Sequence, residues 1–570
     1  MKRFRLVLLL LLLAATAGFV AWFGPRGGKP GVGRFALWVV ADTVQVRHDD
    51  GPQSSAELYD GNTIHLAAAR NEVIAWQVVI RSPRTLVDGK VALSAFHGDK
   101  GDLPADSCRI FTEHYLKVEV PSQFEQGKPP ANLLPPGELP NQLLPLSIAA
   151  HGFEASPGQS TPLWFDLTVP EDAAPGKYAA KLDLSAGAPL AGLPIELEVY
   201  PFALPRATHF TTWFYYGPEQ LSAYYKDPAT AASQEEEFRR LAHDHRMTLA
   251  PELYVPGDPG KRTAWWHDRS GWWDGREFPD GPCRGTGDTC LPIGLGDAKE
   301  APVKAMARAT TDFFGGLGLL DKAFVFAYDE PHGAEAYRQV RDVGAWIKSV
   351  AGPRLKVFVT APVEPEKAEW GSLEDAVDIF CSGQTSTVEM RRWHERGGRI
   401  WVYNQGLAGA GLIDTPLSGV AAWGPASWRF GLDGWFLWDT LYWRQTHVGQ
   451  ERMTDLYVNP LTFDETLKHD AQGRPYPEQY AIRLNGDGVW LCPGEPVGGS
   501  GPIATMRVKA FRRGAQDYEY LWLLAEHHLK AKADGFARRL STNRGEWELD
   551  ADAWLACRRD MAKALMEAKE

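Results

Sequence analysis

Between Thr211 and Trp443 short apolar runs alternate with helix-patterned segments. In order they are TTWFYYG, a helix near Gln234 to His245, MTLAPELY, a helix near Val303 to Leu319, FVFAYDEP, a helix near Ala334 to Val350, LKVFVTAP, VDIFCS, a helix near Val388 to Arg396, RIWVYNQG and GWFLWDTLYW. Such alternation builds a parallel sheet, because each crossover helix brings the chain back to start the next strand in the same direction. About eight strand candidates fit a (β/α)8 TIM-like barrel, which sets the active site at the C-terminal strand ends. An open doubly wound sheet is the alternative, but no G-x-G-x-x-G or P-loop follows any of the runs. The Trp-, Gly- and Pro-rich stretch from Gly257 to Lys299 reads as a rim loop or lid.

Upstream the rhythm is different. FALWVVADTVQV, VIAWQVVIRS, TPLWFDLTVP, KYAAKLDLSA and LPIELEVYPF are short β-type runs separated by turn residues, the pattern of an antiparallel β-sandwich. The proline-bearing FALPRATH marks the change, and beyond Pro502 the chain turns helical. The expected organisation is multidomain: 1–34 a leader or anchor with its linker, 35–205 the sandwich, 206–502 the catalytic barrel, and 503–570 a helical C-terminal segment packing on the barrel.

FVFAYDEPH closes an apolar run with two adjacent acids, Asp329 and Glu330, and then Pro331. On a barrel this pair lies at a strand's C-terminal end and faces the pocket. The competing reading makes Asp329 the N-cap of a helix that begins around Pro331. If the acids are catalytic, their adjacency restricts the mechanism. Two-carboxylate glycosidases separate their acids by roughly 5 to 9.5 Å across the scissile bond, which neighbouring residues do not easily do. An adjacent pair suits a scheme in which Glu330 is general acid and then base, while Asp329 orients a nucleophile belonging to the substrate, such as a 2-acetamido group. The 22 tryptophans include Trp265, Trp266, Trp272 and Trp273 in AWWHDRSGWWDG. Their apolar faces and polar edges suit stacking on pyranose rings. Tyr403 and Asn404 end another strand run and are candidates for holding the acetamido group or a hydroxyl.

The C-terminal half resembles glycoside hydrolase family 123, whose founding activity is an exo-acting β-N-acetylgalactosaminidase. YDEP (328–331) resembles its catalytic Asp-Glu, and GLDGWFLWDTLYW (431–443) its last barrel strand. CPG, followed by GPIATMRVKAFRRGAQDYEYLWLL, resembles its C-terminal signature, with Arg507, Arg512, Gly514, Asp517, Tyr518, Glu519 and Tyr520. VPEDAAPGKY (169–178) is similar to the sandwich that precedes the barrel there. The resemblance implies a sandwich plus barrel, a retaining substrate-assisted mechanism at Asp329 and Glu330, and substrate contacts from Trp438 and Trp443; Asp439 between them is a further candidate contact that the resemblance does not supply. Asp439 and Leu441 stand where the family pattern has Gly and Asn, so the exact hexosamine stays open. Two other readings remain: a noncatalytic glycan-binding protein on the same fold, and a glycosidase for a different sugar whose nucleophile comes from another strand end such as Asp439.

A formal net charge of -12 and the lack of a Lys/Arg stripe argue against nucleic acid as a partner. The partner expected is a glycan or glycoconjugate. The 15 histidines are dispersed, H-E-x-x-H is absent and no cofactor motif appears, so neither metal nor cofactor is expected. The opening MKRFRLVLLLLLLAATAGFVAWFG has a basic start and an apolar run from Leu6 to Gly24, either a cleaved signal peptide or an uncleaved membrane anchor. Either fate exports the chain to the periplasm, the cell envelope or the medium. In that setting Cys283 and Cys290, flanking the turn in CRGTGDTC, are expected to pair as a disulfide.

Overall fold

The structure, a computed structural model, describes residues 35–124, 128–148, 152–253, 259–404, 410–445, 452–464 and 482–568. The leader or anchor expected over residues 1–34 lies outside the described residues. Among them no helix is long and apolar enough to cross a membrane.

The chain is multidomain and rich in β-sheet. Ala36–Ala41, Glu72–Arg81, Ser160–Val169, Cys108–Val118 and Gly137–Pro145 pair in that order as one five-stranded antiparallel sheet. A second sheet runs Ile64–Arg70, Pro189–Ala203, Gly176–Ser185, Leu86–Leu93 and Phe153–Ala155, with two short strands attached. One of its pairings departs from the antiparallel expectation: Pro189–Ala203 lies parallel to Ile64–Arg70, with Ile195 opposite Ile64. Two-residue alternation explains how each strand is used. Leu193, Ile195, Leu197 and Val199 are buried while Glu196 and Glu198 are exposed, and the buried set shares one core with Val39, Trp76, Leu163 and Phe165 of the first sheet.

The second half centres on seven parallel strands. Thr212–Phe214, Gly434–Leu437, Arg399–Tyr403, Ile379–Cys381, Lys356–Val359, Ala323–Tyr328 and Leu291–Gly294 pair in that order. The sheet curls until both of its edges reach one segment, for Leu249 bridges to Phe214 and Leu253 to Ile293, each in parallel sense. Period two then sends alternate side chains inside the curl. Trp213, Ala250, Phe324, Phe358, Trp401 and Phe436 form a buried cluster there, with Tyr215, Phe326, Tyr403 and Trp438, two residues further along their strands, as partly exposed members packed against it. Trp213 stacks on Phe436 with ring centroids 4.2 Å apart.

The stretch 257–299 is not a plain rim loop. It holds the helix Pro259–Asp274 and the strand Leu291–Gly294. Trp266 and Trp273, seven residues apart and therefore on one helical face, are buried against Phe313 and Phe314 of the helix Glu300–Gly316. Trp272 packs on Phe278 and under the Arg239 guanidinium. These tryptophans are core. The strand LPIG escapes sequence reading because it is four residues long and half of it is Pro and Gly.

The helix Met506–Glu526 is buried along most of its length. It approaches the helices Leu417–Ala421 and Trp423–Phe430 so closely that a Cβ on Gly514 would lie 2.2 Å from the Ala421 carbonyl oxygen, which only glycine allows. Its charges meet carboxylates from the N-terminal sheets. Asp166 accepts from Lys509 Nζ at 2.7 Å and from Arg512 at 2.7 and 3.0 Å. Lys509 also donates to His245 Nε2 at 3.0 Å, while His245 Nδ1 donates to the Leu241 carbonyl at 2.7 Å, which assigns a neutral ring with its proton on Nδ1. Burial pushes Lys509 down to about 7 despite Asp166. Glu72 accepts from Arg558 and Tyr520, and Arg558 also donates to Asp517, each at 2.7 Å. Removing one partner of such a buried set strands the others without water. Asp166→Ala is accordingly expected to cost about 3–5 kcal/mol, measured by urea unfolding. A loss under about 1 kcal/mol, the range of an exposed pair, would contradict this account.

Candidate active site

A strand normally points consecutive side chains to opposite faces, yet Asp329 and Glu330 are both engaged at the mouth of the curl. The backbone supplies the reason. The pairing with Lys356–Val359 slips by one residue between Phe326 and Tyr328, which brings Asp329 level with Thr360. Glu330 then has φ 46°, a left-handed conformation uncommon for a non-glycine residue, so that the slip breaks the alternation together with this turn. Thr360, following the neighbouring strand Lys356–Val359, fastens it. The Thr360 hydroxyl accepts from the Glu330 backbone N–H at 2.6 Å and donates to Asp329 Oδ1 at 2.8 Å. From across the curl, Tyr403 donates its hydroxyl to Glu330 Oε1 at 2.7 Å.

Burial raises the Asp329 pKa above the usual carboxylate value; the Thr360 hydrogen bond opposes this and the Glu330 charge adds to it. Burial and the bond to Glu330 push the Tyr403 hydroxyl well above its ordinary value, so it stays a donor. The N-cap reading of Asp329 fails, because the next helix is Gly333–Ala351, with His332 at its N-cap.

Asn404 also lies in the left-handed region, at φ 53°. Its backbone N–H donates to the Phe436 carbonyl at 2.8 Å and its Oδ1 accepts from the Trp438 N–H at 3.1 Å, so it fixes how two strand ends enter the rim. Trp438 Nε1 donates to Asp487 Oδ2 at 3.1 Å. The loop carrying Asp487 is braced in turn by Arg507, which donates to the carbonyls of Gly486 and Val489 at 2.6 Å each. The C-terminal helix therefore reaches the rim through Trp438.

The other candidates lie elsewhere. Asp439 is buried and turns back on its own loop, with Oδ1 accepting from the N–H groups of Thr440 and Leu441 at 2.7 and 2.9 Å; burial raises its pKa strongly. Trp443 is fully buried among Tyr224, Tyr225 and Phe238 and donates to the Leu491 carbonyl. Cys283 and Cys290 are free, buried thiols, which corrects the expected disulfide. Their sulfurs face different neighbours, Thr208 Oγ1 at 3.7 Å and the Thr212 carbonyl at 3.4 Å. Thr360 carries no signal in the sequence, although it follows the run LKVFV as Asp329 follows its own. Among the described residues no group of three or more His, Cys, Asp or Glu side chains is gathered as a metal site.

No family model matches the sequence, and no curated protein matches it. Solved structures do. The chain has the fold of a family 123 glycoside hydrolase from Clostridium perfringens, studied for glycolipid glycan hydrolysis, with TM-score 0.62 and 11% identity over 94% of this chain and 98% of that one. A putative alpha-galactosidase from Bacteroides fragilis (TM-score 0.21, 9% identity, 65% of this chain and 72% of that one) and an endo-beta-1,4-mannanase from Thermotoga petrophila (TM-score 0.25, 11% identity, 55% and 77%) are far weaker likenesses.

Proposed function

We propose that the chain is an exported, retaining glycoside hydrolase that removes a terminal β-linked N-acetylhexosamine, N-acetylgalactosamine in the first place, from glycans by substrate-assisted catalysis. In this reading the two N-terminal sheets are a β-sandwich, the curled parallel sheet with its helices is a (β/α)8 barrel, and the Met506–Glu526 helix packs on it. The observation that carries the reading is the adjacent carboxyl pair, turned to one mouth and locked by a single threonine hydroxyl. Glu330 protonates the departing glycosidic oxygen. Asp329 accepts the acetamido N–H, so that the amide oxygen attacks the anomeric carbon and closes an oxazolinium ring. Glu330, now a carboxylate, takes a proton from the water that opens the ring, and two inversions give retention.

The nucleophile drawn from another strand end has less support, since Asp439 is buried and holds its own turn. A panel of aryl β-glycosides tests the proposal. Hydrolysis of 2-acetamido sugars with near silence on 2-hydroxy sugars is expected; comparable rates on both would defeat substrate assistance, and no hydrolysis of any would favour a glycan-binding protein. Tyr403→Phe removes the donor that holds Glu330 and is expected to lower kcat/KM by about 10- to 100-fold. Unaltered kcat and KM would take Tyr403 out of the site.

A further inference from the structure

Glu252 plays no part in the scheme above, yet its position gives it access to the same mouth. Along the curl the inward residues come in pairs two apart, such as Trp213 with Tyr215, Trp401 with Tyr403 and Phe436 with Trp438. Ala250 is buried in that inner cluster, so Glu252 is the outer member of its pair and enters the layer that faces the opening. The neighbouring strand makes room for it. A Cβ on Gly294 would lie 2.8 Å from Glu252 Oε2 and 3.4 Å from its Cβ, so the carboxyl lies across the strand Leu291–Gly294 in the direction of the strand that carries Asp329.

We propose that Glu252 is a third substrate-contacting residue, which hydrogen-bonds the 3-hydroxyl of the bound N-acetylhexosamine and makes a free hydroxyl there a requirement. The inference rests on the glycosidase reading and adds a contact to it. Glu330 is tied across the curl to Tyr403, Asp329 is tied to Thr360 at the end of one neighbouring strand, and Glu252 lies on the other flank of Asp329 against Gly294, which sets the order Glu330, Asp329, Glu252. On a hexosamine ring the substituents run in the same order: glycosidic oxygen, acetamido nitrogen, 3-hydroxyl.

The electrostatics fit a neutral, donating carboxyl. Burial, and then the charge of Asp329, push Glu252 from an ordinary value of 4.5 up to about 7, and no cation acts on it among the described residues. Tyr215, whose pKa is raised by burial and by Glu252, Glu219 and Asp439, faces it from the first strand as a neutral hydroxyl. The sign follows from the raised value. Glu252 keeps its proton in the fold up to about pH 7, and above that it loses the proton and gains a charge beside Asp329. Substrate binding should weaken on the alkaline side through this one group.

The test compares wild type, Glu252→Gln, Glu252→Ala and Gly294→Ala on an aryl 2-acetamido-β-glycoside and its 3-deoxy counterpart, from pH 5 to 8. Glu252→Gln, which keeps shape and a donor, should stay within about 5-fold of wild type in kcat/KM at low pH, and its calorimetric affinity for free N-acetylgalactosamine should lose the alkaline weakening of the wild type, whereas kcat/KM keeps an alkaline limb in both because Glu330 must be protonated to act as the acid. Glu252→Ala should lose about 10- to 100-fold in kcat/KM on the hydroxylated sugar and under about 3-fold on the 3-deoxy sugar, because only the former leaves a hydrogen bond unmade. Gly294→Ala, which displaces the carboxyl without removing it, should shift kcat/KM in the same direction. An alkaline weakening of N-acetylgalactosamine binding unchanged in Glu252→Gln, or equal losses on both sugars in Glu252→Ala, overturns the assignment. Calorimetric binding of free N-acetylgalactosamine gives a second readout, and equal affinity for wild type and Glu252→Ala also overturns it. A wild type that neither hydrolyses nor binds any 2-acetamido sugar defeats the underlying function together with this contact. An active wild type with indifferent variants defeats this contact alone.

Discussion

Glu330→Gln is expected to lower kcat/KM by about 10²- to 10⁴-fold on substrates with basic leaving oxygens and by about 10-fold or less on activated aryl glycosides. The difference between the two classes is the diagnostic part. A general acid matters in proportion to the basicity of the atom it protonates, whereas a residue that only binds or supports the site depresses both classes alike. The geometry makes Gln a fair probe. The Glu330 backbone is held by its own N–H on Thr360, and the Tyr403 hydroxyl can donate to the amide oxygen as it does to the carboxylate. The left-handed turn at Glu330 is therefore expected to survive the substitution, which thermal unfolding would verify. Equal losses across a leaving-group series would remove Glu330 from the acid role.

The parts of this site that sequence reveals are those written as contiguous patterns. Each inward pair, such as Trp401 and Tyr403 or Phe436 and Trp438, comes from a β-rich run whose end is visible, so the level at which side chains meet substrate follows from period two. Asp329, Glu330, Tyr403 and Asn404 are found that way. Thr360 and Glu252 occupy equivalent ends, but a threonine after LKVFV and a glutamate in MTLAPELY carry no signal of their own; only pairing order brings them beside Asp329. Trp443 and Asp439 illustrate the opposite failure. A motif puts them next to Trp438 in sequence, while the turn that follows the strand carries one into the core and folds the other back on its own backbone N–H groups. The helix RVKAFRRGAQDYEY is legible as helix, but its reason for being so charged is not. Asp166 and Asp42, which pair its Lys509, Arg512 and Arg513, lie more than 300 residues upstream.

Asp329→Asn is expected to lower kcat on 2-acetamido substrates by about 10²- to 10³-fold, the loss that follows when a charge aimed at a developing cation is removed, while the acid at Glu330 remains. Thr360 occupies Oδ1 of Asp329, which leaves Oδ2 to accept the acetamido N–H. An asparagine can present its oxygen to only one of these two donors, so the amide either loses its place on Thr360 or turns a donor toward the substrate N–H. Cyclisation then has no base to polarise the amide and no negative charge beside the oxazolinium. Azide distinguishes this from a two-carboxylate scheme. Where an enzyme nucleophile has been deleted, the anion occupies the vacated space, attacks the anomeric carbon and gives a glycosyl azide of inverted configuration. Where the nucleophile belongs to the substrate, the amide oxygen still covers that face of the anomeric carbon, and added azide restores little. The measurements are rates for Asp329→Asn and Asp329→Ala with and without azide, product configuration by NMR, and wild-type rates on matched 2-acetamido and 2-hydroxy sugars. Strong rescue of Asp329→Ala to the inverted azide would make Asp329 a nucleophile and Glu330 its neighbour in a mechanism that the locked, adjacent geometry of this pair does not accommodate.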